Sequence, residues 1–165
     1  MTSPLPLDPA NPQHFRSVLG TYPTGVCAVT TLSDASTPLV MVVGSFGSVS
    51  LDPPLVGFFP ATNSETWPQI AATGRFCVNV LAADQQDLCR KMASKGADRF
   101  DGVVWHRSPN GAPVLDGVVA WIDCTLHQVT PAGDHVLVLG AVQAFGTESE
   151  KPALIFQRGR YGQMG

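Results

Sequence analysis

Two long runs rich in β-branched and apolar residues limit what this chain can fold into: VVAWIDCTLHQVT (118–130) and DHVLVLGAVQAFG (134–146). Only Pro131-Ala132-Gly133 separates them, so they read as the arms of one hairpin. Shorter β signals surround them at VCAVTTL (26–32), PLVMVVGSF (38–46), LVGFF (55–59), FCVNVLA (76–82), VVWH (103–106) and ALIFQRGRYG (153–162). SDAST (33–37) returns the first of these into the second as a hairpin. Three helices fit between the strands. Asn11 caps the first, with Pro12 at its first position, Gly20 at its end and Phe15, Val18 and Leu19 on one apolar face. The second lies in PATNSETWPQIAATG (60–74), capped by Asn63 or Ser64 and closed by Gly74. In the third, Asp84 caps DQQDLCRKMASKG, and Arg90, Lys91 and Lys95 suit its negative end. Many strands with a few short helices predict a β-rich barrel or sandwich.

At 165 residues the chain fits one domain, read as a flexible arm over 1–10 and a folded domain over 11–165. A net charge of −3 argues against nucleic acid or an anionic membrane as principal partner. No apolar run reaches the roughly 20 residues that span a bilayer. MTSPLPLDPANP lacks the basic and apolar regions of a secretory signal, which makes a cytoplasmic location the default expectation. Cys27, Cys77, Cys89 and Cys124 have no metal-ligand spacing and read as structural thiols. The histidines likewise have no zinc-site spacing. No Ser-His-Asp grouping, HExxH or phosphate-binding Walker loop occurs.

GSFGSVSLDPP (44–54) joins two apolar runs through small and hydroxyl-bearing residues, and Pro53-Pro54 gives an extended entry into the next strand. It reads as a loop between buried strands, open enough for a flat polar ligand to approach the backbone. The extended wording SFGSVSLDPPLV closely resembles the signature of the short-chain flavin reductases, the small reductase components of two-component monooxygenases. FRSVLGTYPTGVCAVTT (15–31), RFCVNVLAADQQDLCRKMA (75–93), GAPVLDGVVAWIDCTL (111–126) and GDHVLVLGAV (133–142) resemble successive segments of that family, in its order. The resemblance implies a mainly β, FMN-binding type of split β-barrel with a few short helices, and a homodimer. It also implies an NAD(P)H:flavin oxidoreductase that carries a hydride from NADH or NADPH to FMN or FAD and supplies reduced flavin to a partner oxygenase. A flavin-retaining electron carrier of the same fold is the alternative. Such chemistry asks the protein mainly to orient two reactive ligands, with the reacting atoms roughly 3–3.5 Å apart.

The resemblance distributes candidate residues over four stretches. Gly44 and Ser45 would lie by the polar edge of the flavin ring, with Ser48, Val49 and Ser50 continuing along it. Here the chain departs from the family wording TVNSFTSVS: Val42, Gly44 and Gly47 replace two threonines and an asparagine. Ser64 and Thr66, near a helix start, would hold flavin phosphate by the resemblance, whereas ordinary helix capping is the better reading of them in isolation. Asn79 is a cofactor contact or a buried amide that fixes the barrel. Arg90 and Lys91 either neutralise phosphate or answer the helix dipole. Gly133 and Asp134 would flank His135, the catalytic candidate, as a hydrogen-bonding contact to the nicotinamide. Tyr161 would give an aromatic wall or pack in the core.

Overall fold

The structure, a computed structural model, describes residues 6–165; the first half of the expected arm, residues 1–5, lies outside them. One antiparallel sheet of seven strands dominates. Its strands are β2 (Cys27–Leu32), β3 (Pro38–Val43), β4 (Gly47–Leu51), β5 (Pro54–Phe58), β6 (Arg75–Val80), β9 (Ala120–Ala132) and β10 (His135–Thr147). Their order is β3-β2-β6-β9-β10-β5-β4. The two edge strands, β3 and β4, are joined by Gly44-Ser45-Phe46 alone. Four residue steps reach at most about 14 Å, so the sheet must curl until those edges approach. Closure with a seam at residues 44–46 is the split barrel.

Alternation along the central strands explains why both faces are buried. Cys27 and Val29 of β2, with Phe76 and Val78 of β6, join one apolar cluster around Phe58, Ile70 and Val138. The intervening Ala28 and Cys77 join a second cluster with Met92, Val114, Leu115 and Leu154. Phe76 meets Phe58 edge-to-face at 5.4 Å, and Phe58 meets Trp67 at 5.6 Å. All four thiols are buried. Burial pushes those of Cys27 and Cys124 up to about 12, and Cys77 also rises, so these three stay protonated and unreactive at neutral pH.

The helices are α1 (Pro12–Leu19), α2 (Trp67–Thr73) and α3 (Gln86–Ala93). Asn11 Oδ1 accepts from the Gln13 and His14 amides, as the cap reading predicts. Two small sheets complete the chain: β7 (Trp105–Arg107) with β8 (Pro113–Leu115), and β1 (Thr24–Gly25) with β11 (Ile155–Gln157) and β12 (Arg160–Gly162).

Several boundaries differ from the sequence reading. The stretch expected as a loop contains β4, an edge strand paired with β5. Gly47-Ser48-Val49-Ser50-Leu51 is mostly exposed and has no apolar alternation to betray it. The run 153–162 is two strands, broken at Arg158-Gly159, both with positive φ. Gly133-Asp134, not Pro131-Ala132-Gly133, forms the tip of the long hairpin, because Ala132 pairs with His135 and Gly133 supplies φ 66°. Asp84 caps no α-helix; it sits in a 3-10 turn and pairs with Lys151 at 2.8 Å. The third helix ends at Ala93, which leaves Lys95 in the following loop.

Candidate active site

The hairpin tip and the segment before α2 are tied together by main chain. Val136 N–H donates to Pro60 O at 3.0 Å, and Ala61 bridges to His135. The Thr62 N–H and hydroxyl both donate to Asp134 O, at 2.9 and 3.0 Å. His135 Nδ1 lies 2.6 Å from Asp134 Oδ1. With Nδ1–H donating to the carboxylate, Nε2 is the nitrogen left for a ligand. The imidazole is 45% exposed, so a ligand has access. The bond from His135, with a further contribution from its charge, holds the Asp134 carboxyl below its usual range. A depressed carboxylate pKa favours the ionised form in the fold, so this pairing persists at neutral pH and is lost as pH falls through the lowered value.

From the same segment the chain runs into a cleft of about 760 Å³. Asn63, Ser64 and Thr66 stand on one side, the half-buried Leu39, Met41 and Val42 of β3 line it, and residues 92–97 with Arg99 and Phe100 close it. Of the two cap candidates, Asn63 and Ser64, it is Ser64 that bonds the start of α2. Its Oγ accepts from Trp67 N–H at 3.1 Å across a turn, and Thr66 occupies the cap position without a capping bond. Among the described residues the amides of Asn63, Glu65 and Thr66 have no hydrogen-bond acceptor. These amides and the Thr66 hydroxyl are available donors, and Lys95 lines the cleft with no salt-bridge partner among the described residues. An apolar surface bordered by donors and one ammonium fits a flat ring carrying a phosphate.

The seam lies at the end of β3. Phe59 N–H donates to Ser45 Oγ at 3.0 Å, which ties Gly44-Ser45 to the strand leading into Pro60. A Cβ on Gly44 would come within 3.0 Å of Thr24 Oγ1. The asparagine of the family wording is therefore replaced where Thr24 already crowds the backbone. Ser48, Val49 and Ser50 lie on β4; Val49 is half exposed and leans on Gly57.

Two candidates fall elsewhere. Asn79 is fully buried in β6. Its Nδ2 donates to Ala28 O, Thr30 Oγ1 and Pro113 O, and its Oδ1 accepts from Leu115 N–H, so the amide fastens β8 to the barrel. Tyr161 lies on β12, accepts from the Cys89 thiol at 3.5 Å and packs on Phe156 at 5.1 Å. Arg90 stands 5.8 Å over the Tyr161 ring, while Lys91 donates to Asp101 O. Sequence reasoning gives Lys95 to the helix dipole, whereas α3 ends at Ala93 and Lys95 lines the cleft. That reasoning misses Arg99, which lines the cleft and donates to Val40 O and Met92 O, joining β3 to the end of α3.

Residues 19–165 match the family model described as a flavin reductase like domain. The chain belongs to the flavin reductase-like family. A flavin reductase of Pseudomonas putida is 55% identical over 152 residues, spanning 92% of this chain and 89% of that protein. The reductase subunit HsaB of a flavin-dependent monooxygenase from Rhodococcus jostii is 43% identical over 151 residues, with 92% and 77% covered. Among solved structures, the Streptomyces globisporus NADH:FAD oxidoreductase SgcE6, in complex with NAD and FAD fragments, superposes with a TM-score of 0.92 at 33% identity, covering 98% of both chains. Membership in this flavin reductase-like family agrees with the split barrel. No described helix is long and apolar enough to cross a membrane.

Proposed function

We propose that this protein is the NAD(P)H:flavin oxidoreductase of a two-component monooxygenase, reducing FMN or FAD and releasing it to an oxygenase in the cytoplasm. The observation that carries the reading is the joining of two sites by one segment: residues 60–66 bond to the Asp134-His135 tip and then form the donor-lined cleft. The relatives named as flavin reductases and monooxygenase reductase subunits support the same reading.

The bound flavin and nicotinamide supply the hydride chemistry themselves. This chain's residues bind and orient them. Ser64, Thr66 and the open amides around them hold phosphate, with Lys95 adding positive charge from the far wall. Glu65 is exposed and must turn its carboxylate away from that anion. Gly44 and Ser45 meet the ring's polar edge through main chain and hydroxyl. Ser48, Val49 and Ser50 extend that edge along β4. Asp134 fixes the His135 ring, so that Nε2 faces the nicotinamide; Gly133 allows the tight tip that makes this possible. The test is whether NADH or NADPH oxidation by dialysed protein requires added flavin.

A second copy of the chain completes the assembly. Helix α1 has no buried residue, yet Phe15, Val18 and Leu19 form an apolar face about half exposed. An isolated helix of this length is unstable in water, and a homodimer that covers this face supplies what the single chain lacks. Sedimentation at micromolar concentration should give a dimer; a monomer contradicts this assignment.

A further inference from the structure

Arg16, Arg158 and Arg160 form a second charged feature, at the end of α1 and the turn between β11 and β12. Arg16 and Arg158 line a cleft of about 690 Å³ against the end of α1, and Arg158 and Arg160 line an adjoining one of about 470 Å³ beneath Tyr161. Among the described residues none of the three guanidiniums makes a salt bridge. Such a concentration runs against a net charge of −3 and only 10 Lys and Arg in the chain.

Arg158 also stands in a costly conformation. Its φ is 51°, in the left-handed region that disfavours a residue with a Cβ. The position before Gly159 in such a hairpin is one where Asn, Asp or Gly relieves the strain. The Arg158 amide donates to Gly20 O at 2.8 Å, which clamps the turn to the end of α1. Any residue provides that amide except proline, so the clamp does not account for arginine. A side chain kept against local strain points to a use for the side chain.

A chain of contacts joins this cluster to the candidate site. Thr24, which crowds Gly44, pairs with Phe156 of β11, the strand that leads into Arg158. The cleft at Ser64 and Thr66 already offers donors for flavin phosphate. A nicotinamide at His135 would bring a second set of phosphates, which needs its own cations.

We propose that Arg16, Arg158 and Arg160 bind the phosphate groups of the nicotinamide dinucleotide. This rests on the reductase reading. Guanidiniums suit the task because they remain charged and donate in pairs to phosphate oxygens. The test is calorimetric binding of NAD⁺, NADP⁺, FMN and FAD to the wild type, to Arg158→Asn/Arg160→Gln and to Arg16→Gln, with Arg75→Gln as a charge-loss control. The double variant should weaken dinucleotide binding about tenfold, or about 1.4 kcal/mol, and flatten its salt dependence. Arg16→Gln should weaken it in the same direction, while FMN and FAD binding stay within about twofold. Because Asn tolerates the left-handed turn, Arg158→Asn should raise Tm by about 2 °C even as affinity falls. Loss for NAD⁺ and NADP⁺ alike assigns the cluster to the diphosphate; loss confined to NADP⁺ assigns it to the 2′-phosphate. Unchanged dinucleotide binding overturns the proposal, as does a loss seen with FAD instead. A wild type that binds no dinucleotide would instead remove the reductase reading itself.

Discussion

Gly140→Ala is expected to lower the unfolding free energy by about 2–3 kcal/mol, as overpacking of a dense core does. A Cβ at this position of β10 would lie 2.7 Å from Phe76 Cζ, 3.0 Å from Cys124 Cβ and 3.1 Å from its Sγ. Phe76 and Cys124 are both essentially fully buried, so neither can retreat into solvent. The strain would also travel. Phe76 packs edge-to-face on Phe58, and Phe58 packs on Trp67, the first residue of α2. Ser64 is bonded to the amide of that tryptophan, so the cleft wall should shift with the core. Urea unfolding measures the loss. Gly47→Ala is the control, since nothing lies within 4 Å of its Cβ position, and a change within about 0.5 kcal/mol is expected there. Equal stability of the two variants would show that the barrel interior is looser than these contacts imply.

The second large effect is a division of labour in steady-state kinetics. His135→Ala should raise the KM for NADH or NADPH about tenfold and leave the flavin requirement nearly unchanged, the loss expected for one good hydrogen bond. Ser64→Ala combined with Thr66→Ala should do the reverse, raising the flavin concentration needed by a similar factor. The Ser64 change also removes the acceptor for Trp67 N–H, so unfolding is measured alongside to separate loss of α2 from loss of a ligand contact. Variants that affect both ligands equally would contradict the assignment of the two ends of the 60–66 segment to different ligands.

The residues proposed for the site carry local marks in the sequence. Gly133-Asp134-His135 and Asn63-Ser64-Glu65-Thr66 are short motifs, and hydrogen bonds tie together the two segments that carry them. The long hairpin, the β2–β3 pairing and the Asn11 cap follow from alternation, β-branched content and capping chemistry. What escaped depended on distant neighbours. Strand β4 is an exposed edge whose side chains follow no apolar rhythm, so only its pairing with β5 reveals it. Asn79 offered two readings, and the carbonyls that engage it come from Ala28 and Pro113, far away in sequence. Lys95 changed meaning when α3 stopped at Ala93. Arg158 looked like an interior strand residue, whereas its φ of 51° makes it the tip of a hairpin.

The most direct test of the reductase account is oxidation of NADH and of NADPH in air by dialysed protein, with FMN, FAD or no flavin added. The account predicts little oxidation without flavin, and a rate that rises and saturates as flavin is supplied. Protein that stays yellow through dialysis and shows no turnover with any added flavin would contradict it, and would mark the chain as an electron carrier that keeps its flavin.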